Sequence, residues 1–189
     1  MVKSCIVVHH WGFDTSSFTP KQLFSSMNNI AKEKHSYHYV IFDSGLITCI
    51  NPINKLVGHA ANQKLSGDDD RFNISGIGVS FAGLYINHLP PPDALFAFHC
   101  LKKSLDDSLV TNLKILLHKD ISFTDCPGMI KVSDLSDPKY LNFIAMSTKN
   151  NPVVKCFNNQ AFINLRSLQQ MKLIKNIAFV ANSKYLFIK

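Results

Sequence analysis

The sequence has very little glutamate and no long apolar run. Glu33 is the only glutamate among 189 residues, which disfavours a hydrolytic mechanism that depends on a glutamate general base. No segment approaches the roughly 18 consecutive apolar residues of a membrane-spanning helix, so we expect no membrane span. The apolar run after Lys3 ends within a few residues, at His9 and His10. It is too short for the core of a signal peptide, so we expect synthesis in the cytoplasm without one.

The five cysteines are an odd number and show no disulfide pattern. Cys5 and Cys49 fall on predicted strands and Cys100 on a predicted helix, where cysteine behaves as a small core hydrophobe. This usage indicates a reducing compartment and argues against a secreted domain built on disulfides.

The formal charge of +7 is distributed unevenly. Residues 1–150 contain 14 basic and 13 acidic residues, whereas residues 151–189 contain six basic residues and no acid. Such a basic block attracts polyanions. We expect its partners to be anionic polymers rather than a specific nucleic acid.

The order of predicted elements is typical of an α/β fold. Apolar patterning predicts strands at 3–9, 37–42, 46–50, 77–82 and 113–118, and helices at about 20–33 and at 92–107. Strands that alternate with helices predict a mixed central β-sheet flanked by helices. Three consecutive prolines at 90–92 begin the second helix.

A second, smaller unit is predicted after residue 149. The segment 150–152 has the composition of a linker, which divides the chain into a domain at 1–149 and a basic module at 150–189. Strand-like pieces at 153–157, 161–166, 177–180 and 185–188 predict a small β-rich appendage. It could anchor the protein to a cell wall, or it could be an extension that packs on the first domain or serves dimerisation.

Two histidines and a cysteine could form a metal site. His118 follows an apolar run, Cys126 comes eight residues later on a loop closed by Pro-Gly, and His9 ends another apolar strand. Imidazole nitrogen and thiolate sulfur are zinc ligands, and three of them leave the fourth tetrahedral position open, as in catalytic zinc sites. Ligands also gather at strand ends in α/β sheets. Spacing alone does not decide, since a lone histidine on an apolar strand is more often a core residue.

Five segments, in order, carry a resemblance to a known family. They are Val7-Val8-His9-His10, Ser36 to Ile41 (SYHYVI) with Ser44 to Ile47 (SGLI), Gly58-His59-Ala60, Asn73 with Gly76 to Gly83 (GIGVSFAG), and His118-x-Asp120 with Thr124-Asp125-Cys126-Pro127-Gly128. Together they resemble the type 2 N-acetylmuramoyl-L-alanine amidases, a fold shared by phage endolysins and peptidoglycan recognition proteins. The match covers roughly residues 3 to 130. Gly76 departs from the family's usual serine, at a structural position.

The resemblance implies specific roles for matching residues. It makes His9, His118 and Cys126 the zinc ligands, and Tyr37 the catalytic tyrosine that stabilises the oxyanion. Thr124 stands where phage members often have lysine and catalytic recognition proteins often have threonine, so it offers a hydrogen bond without a charge. The implied reaction is zinc-dependent hydrolysis of the amide that joins N-acetylmuramic acid to L-alanine in peptidoglycan.

Four further residues receive supporting roles. His59 and Asn73 are expected along the substrate groove, although His59 could simply end a strand. Asn73 and residues 66–71 are expected to form a loop at the edge of that groove. Asp120 could orient a ligand or cap a helix. His10 should point away from His9, because successive side chains of a strand alternate, and is expected to be a packed or second-layer histidine.

The absence of a predicted signal peptide bears on the biological role. A phage holin would release such an enzyme to the wall, so we expect an endolysin that acts at the bacterial cell wall. A cytosolic recycling amidase would instead need no route out of the cell. The alternative is a non-catalytic peptidoglycan-recognition module. Non-catalytic relatives typically lose the cysteine ligand, and Cys126 is present here.

Overall fold

A computed structural model describes most of the first 137 residues and short strands beyond them. The described residues are 2–15, 17–18, 22, 25–26, 36–60 and 71–137, with strand residues 154–157, 160–163, 177–178 and 187–188. The main elements are β1 Cys5–His10, β2 Tyr39–Ile41, β3 Ile47–Cys49, α1 Arg71–Ser75, β4 Gly76–Phe81, α2 Pro92–Leu109, β5 Lys114–Leu117 and α3 His118–Ile121.

Five of these strands form one mixed sheet in the order β3-β2-β4-β1-β5. β1 pairs in parallel with β4 and β5, and β2 pairs in parallel with β4. β3 is antiparallel to β2 at one edge, as expected for a hairpin. The predicted α/β class and mixed sheet are therefore confirmed.

The two faces of the sheet differ in what they bury. Along β4, Ile77, Val79 and Phe81 are fully buried and belong to the main apolar core, to which α2 contributes Phe98 and Leu101. The ring centroids of Phe81 and Phe98 lie 6.0 Å apart. We call this side the α2 face.

The alternate residues of β4 have small side chains. Gly76, Gly78 and Ser80 point away from α2, and a Cβ atom on Gly78 would lie 2.7 Å from the His59 ring. On this second side the buried apolar cluster is small and consists of Cys5, Val7, Ala60 and Ile121. We call it the histidine face.

Two local predictions were wrong. The segment around Asn73 is not a loop, because Arg71–Ser75 form the short helix α1 directly before β4. The segment between His118 and Cys126, predicted as a loop, begins with a helical turn, α3, immediately after β5. In the predicted helix at about 20–33, the described residues Gln22, Ser25 and Ser26 are helical, and the rest lies outside the described residues.

The C-terminal segment contains two antiparallel strand pairs, as its β-rich pattern predicted. β6 Val154–Phe157 pairs with β7 Gln160–Ile163, and β8 Ile177–Ala178 pairs with β9 Phe187–Ile188. The division of the chain near residue 150 stays a prediction. Among the described residues, no helix has both the length and the apolar character needed to cross a membrane.

Candidate metal centre

Strand register brings the two predicted histidine ligands together. β1 and β5 run in parallel with Val8 opposite Leu117, so one further step of the same register puts His9 beside His118. Their ring centroids lie 4.4 Å apart. The C-terminal ends of neighbouring parallel strands thus supply two imidazoles at one edge of the sheet.

The loop after α3 returns Cys126 to the same edge. The Lys119 amide donates to the Cys126 carbonyl at 2.7 Å, and the Lys119 amine donates to the Gly128 carbonyl at 2.6 Å. Gly128 has a φ of +73°, and a Cβ atom there would lie 2.3 Å from the Tyr85 carbonyl oxygen. Glycine is therefore required at the position that lets the loop pack against the chain after β4.

The three side chains fit a zinc ion. One donor atom from each of His9, His118 and Cys126 lies within 4.8 Å of the others, and His9 Nδ1 is 3.9 Å from Cys126 Sγ. Zinc–nitrogen bonds of about 2.0–2.1 Å and a zinc–sulfur bond of about 2.3 Å allow separations of this size in a tetrahedron. Two imidazoles and a thiol leave room for a fourth ligand, which is the composition of an open site rather than a closed one.

Burial prepares the imidazole of His9 as a neutral ligand. His9 is 1% exposed, and burial, followed by the neighbouring histidines, lowers its pKa well below the ordinary value. Burial raises the pKa of the Cys126 thiol to about 11, although the His10 amide and Lys119 act in the opposite direction. That amide donates to the sulfur at 3.3 Å. Metal binding to this thiol would therefore release its proton.

Tyr37 and Thr124, the predicted catalytic residues, both lie near this edge. The Tyr37 ring centroid is 5.2 Å from that of His9. The Thr124 hydroxyl oxygen accepts a hydrogen bond from the Cys126 amide at 3.2 Å. Its hydroxyl proton can therefore still be donated outward.

His59 lies behind His9 on the histidine face. The two rings are 5.2 Å apart and nearly perpendicular, and His9 Nε2 is 3.2 Å from His59 Nδ1. His59 is 5% exposed. Its position is that of a second layer behind the candidate ligand, which lends no support to the predicted place along a substrate groove.

Asn73 also lies inside the fold. Its side-chain oxygen accepts hydrogen bonds from the His59 amide at 3.0 Å and from the Ala60 amide at 2.8 Å. The side chain is buried, so Asn73 fixes the backbone that carries His59. Its predicted contact with substrate finds no support in this position.

The two remaining predicted residues, His10 and Asp120, both make hydrogen bonds to the backbone. The Tyr85 amide donates to His10 Nδ1 at 3.2 Å, so the ring of His10 is engaged with the segment after β4. An Asp120 carboxylate oxygen accepts from the Leu117 amide at 3.2 Å at the start of α3. Asp120 is thus a helix cap, and its role in orienting a ligand stays a prediction.

Lys3 and His38 were missed by the sequence reasoning. The buried Lys3 amine donates to the carbonyls of Ile74 at 2.9 Å and Gly76 at 2.8 Å, and burial lowers its pKa to about 8. His38 is fully buried. The Gly78 amide donates to its Nδ1 at 3.0 Å, and burial, then the charge of Lys3, lower its pKa to about 3. Two glycines in alternation on β4 indicate a close approach, which the structure shows to be that of the His59 ring; they do not point to Lys3 or His38.

A cavity of about 370 Å³ opens beside this edge. Its lining includes residues that follow three strands, namely Asp14 and Thr15 after β1, Asp43 after β2 and Gly83 to His88 after β4. Tyr85 donates its hydroxyl proton to Asp43 and connects through its amide to His10. The volume is that of a small-ligand site.

Family membership follows from a sequence match over this same region. The model of the N-acetylmuramoyl-L-alanine amidase family matches residues 2–129. The chain belongs to this amidase family. The predicted resemblance is thereby confirmed, and the matched range contains every residue of the candidate metal centre. No curated protein matches this amidase-family chain significantly.

Solved structures share the fold. The Ph2119 endolysin of a Thermus scotoductus bacteriophage is 19% identical, with a TM-score of 0.54 over 72% of this chain and 84% of its own. The amidase LysCS of Clostridium intestinale is 20% identical, with a TM-score of 0.53 over 76% and 84%. Drosophila PGRP-LB in complex with tracheal cytotoxin is 20% identical, with a TM-score of 0.57 over 72% and 81%. At these identities the likeness concerns the fold.

Proposed function

We propose that this chain is a zinc-dependent N-acetylmuramoyl-L-alanine amidase that cleaves the bond between N-acetylmuramic acid and L-alanine in peptidoglycan. The observation that carries the proposal is the convergence of His9, His118 and Cys126 at one sheet edge, with donor atoms within 4.8 Å of one another. Membership of the amidase family supports the reaction class.

The three side chains would hold the metal and leave one position open. When bound, zinc supplies Lewis-acid activation of water and of the scissile carbonyl. His9 is held by its strand and by His59, and Cys126 is held by a loop that Gly128 fastens against Tyr85. This rigidity favours catalysis, because the ligands keep their geometry while the substrate binds.

Tyr37 and Thr124 would act on the substrate. The ring of Tyr37 packs near His9, so its hydroxyl group can donate a hydrogen bond to the oxygen on which negative charge develops. Thr124 can donate a second hydrogen bond, since its oxygen already accepts from the Cys126 amide. Neither group brings a positive charge, so the stabilisation rests on oriented dipoles.

The biological setting is proposed from the neighbours and from charge. Endolysins among the structural neighbours support a lytic enzyme of phage or prophage origin. We propose that a holin releases it to the cell wall. Residues 151–189 carry six basic and no acidic residues. This segment would bind anionic wall polymers, and its binding should weaken steeply with salt, as exposed charges do.

The test is digestion of purified peptidoglycan, followed by mass spectrometry of the released peptides. The proposal expects free L-alanine amino termini with zinc, none after a chelator, and recovery when zinc is restored. Cys126→Ala should abolish release, whereas the matched control Cys49→Ala, on the edge strand β3, should retain it.

One alternative is built into the same experiment. The peptidoglycan recognition proteins among the structural neighbours favour a binding module as the second candidate. Tight binding to the wall with no released peptide, in the presence of zinc, would refute the enzyme and support recognition.

A further inference from the structure

His9 presents its two ring nitrogens to two different partners. Nδ1 is 3.9 Å from Cys126 Sγ, and Nε2 is 3.2 Å from His59 Nδ1. We infer that His59 is a positioning residue that holds His9 as the tautomer with Nδ1 open to the metal and the proton on Nε2. The inference rests on the proposed metal centre and concerns a residue that does not touch the metal.

The tautomer follows from proton placement. If Nδ1 donates its lone pair to zinc, the ring proton must be on Nε2, and that N–H needs an acceptor because it is buried. His59 Nδ1 lies within hydrogen-bond distance and can accept only when the His59 proton is on its own Nε2. The Gly76 carbonyl favours a proton on the far side of the His59 ring. The distance and angle there fall short of a regular hydrogen bond to Nε2.

The backbone of His59 is fixed from behind. Its own amide and the Ala60 amide both donate to the Asn73 side-chain oxygen, at 3.0 and 2.8 Å. The Gly76 carbonyl is in turn held by the Lys3 amine at 2.8 Å. The backbone that carries His59 is therefore held by buried groups of the fold.

The ring of His59 lies against the backbone of β4. A Cβ atom on Gly78 would come within 2.7 Å of His59 Cγ and 2.8 Å of Cδ2, and one on Gly76 within 3.2 Å of Cε1. Real Cβ atoms essentially never come within 3.0 Å of such atoms, so Gly78 creates the space that the ring occupies, and Gly76 relieves a contact that would be tighter than most. The sequence of β4 is thus adapted to the position of this one imidazole.

An imidazole is an uncommon acceptor for the second N–H of a metal-bound histidine. Metal-bound histidines usually donate their second N–H to a carboxylate, a carbonyl or water, and loss of that partner costs about 10–100-fold in metal affinity. A neutral imidazole acceptor orients His9 without adding a negative charge near the metal. Removal of the His59 acceptor is expected to lower metal affinity by the same order of magnitude.

The test is zinc affinity, measured on the full chain by competition with a chromophoric chelator. His59→Leu, which removes the acceptor, should weaken zinc binding about 10–100-fold. His59→Asn places an amide oxygen where Nδ1 was and should stay within about threefold of wild type. His99→Leu, a buried histidine of α2, is the matched control and should leave zinc affinity unchanged.

Imidazole ¹⁵N NMR of the zinc-loaded wild type tests the tautomer without any variant. The inference expects a protonated Nε2 on His9 and an unprotonated Nδ1 on His59. A protonated His59 Nδ1, or zinc affinity within twofold of wild type in folded His59→Leu, would overturn it. Both readouts are independent of peptidoglycan hydrolysis, so a protein that binds zinc in this way but cleaves nothing would refute the proposed amidase alone.

Discussion

The two faces of the central sheet are built from alternate residues of the same strands and serve different purposes. On the α2 face, Ile77, Val79 and Phe81 bury large apolar side chains against Phe98 and its neighbours. On the histidine face, Gly76, Gly78 and Ser80 give up side-chain volume, and buried imidazoles occupy the space. The α2 face holds most of the buried apolar side chains, and the histidine face leads to the candidate metal centre.

The histidine face carries a thermodynamic cost that the α2 face does not. Burying polar groups is unfavourable unless each one finds a partner. On the histidine face, the partners are a backbone amide for His38, a second imidazole for His9 and two carbonyls for Lys3. Each of these buried polar groups is thus compensated by a specific partner within the fold.

The largest expected effect comes from breaking the α2 face. Phe98→Ala removes a fully buried ring and should lower the free energy of unfolding by about 3–5 kcal/mol, measured by chemical denaturation. Zinc affinity of the folded fraction should not change. Phe123→Ala, at a ring that is 74% exposed, should change stability by less than about 0.5 kcal/mol. A loss of zinc affinity in Phe98→Ala would show that the two faces are not separable.

Tyr37→Phe should affect catalysis without affecting the metal. Loss of one donor to the oxyanion is expected to lower kcat about 10²–10³-fold, with zinc affinity unchanged. Tyr39→Phe is the matched control, since Tyr39 is fully buried on β2, and its kcat should be that of wild type. Equal rates for the two variants would remove Tyr37 from the mechanism.

Gly78→Ala tests the space on the histidine face. The added methyl group meets the His59 ring at 2.7 Å, so we expect a loss of stability of about 1–3 kcal/mol together with weaker zinc binding. Ile77→Val, one residue away on the α2 face, should cost about 0.5–1.5 kcal/mol and leave zinc binding intact. If Gly78→Ala bound zinc as tightly as Ile77→Val does, the His59 ring would not be confined by the backbone of β4.

The last prediction concerns pH and Lys3. Folding lowers the pKa of its amine from about 10.5 to about 8, so between these values the unfolded chain keeps a proton that the native protein has lost. The free energy of unfolding should therefore rise as pH increases from about 8 to about 10.5, and be lowered by a constant amount below that window. Lys3→Met should show a flatter profile in denaturation across this range. Parallel profiles would mean that Lys3 keeps its ordinary pKa in the fold.

Much of the fold could be predicted because its signals are local. The apolar runs of β1 and β5 and the long helix α2 follow simple periodicities, and the order of elements gave the α/β class. The proximity of His9 and His118 could be predicted because both residues come at the ends of predicted strands. Parallel pairing of those strands is enough to bring the two side chains together. The catalytic and ligand roles of these residues remain predictions, to be tested by the experiments above.

The rest depended on contacts between distant segments. α1 has only five residues, which are too few to show a repeating apolar pattern, so the sequence predicts a loop around Asn73. His59 and Lys3 are packed against β4 by residues some 15 to 75 positions away, and a lysine near the start of a chain is usually a surface residue. Local patterns do not reveal such burial.

X-ray absorption at the zinc edge of the reconstituted protein tests the central claim most directly. The account predicts one sulfur at about 2.3 Å and two imidazole nitrogens at about 2.0–2.1 Å, with one further light atom. Replacing Cys126 by alanine should remove the sulfur shell. A spectrum without sulfur in the wild type, or a protein that retains no zinc, would contradict the metal centre on which the account rests.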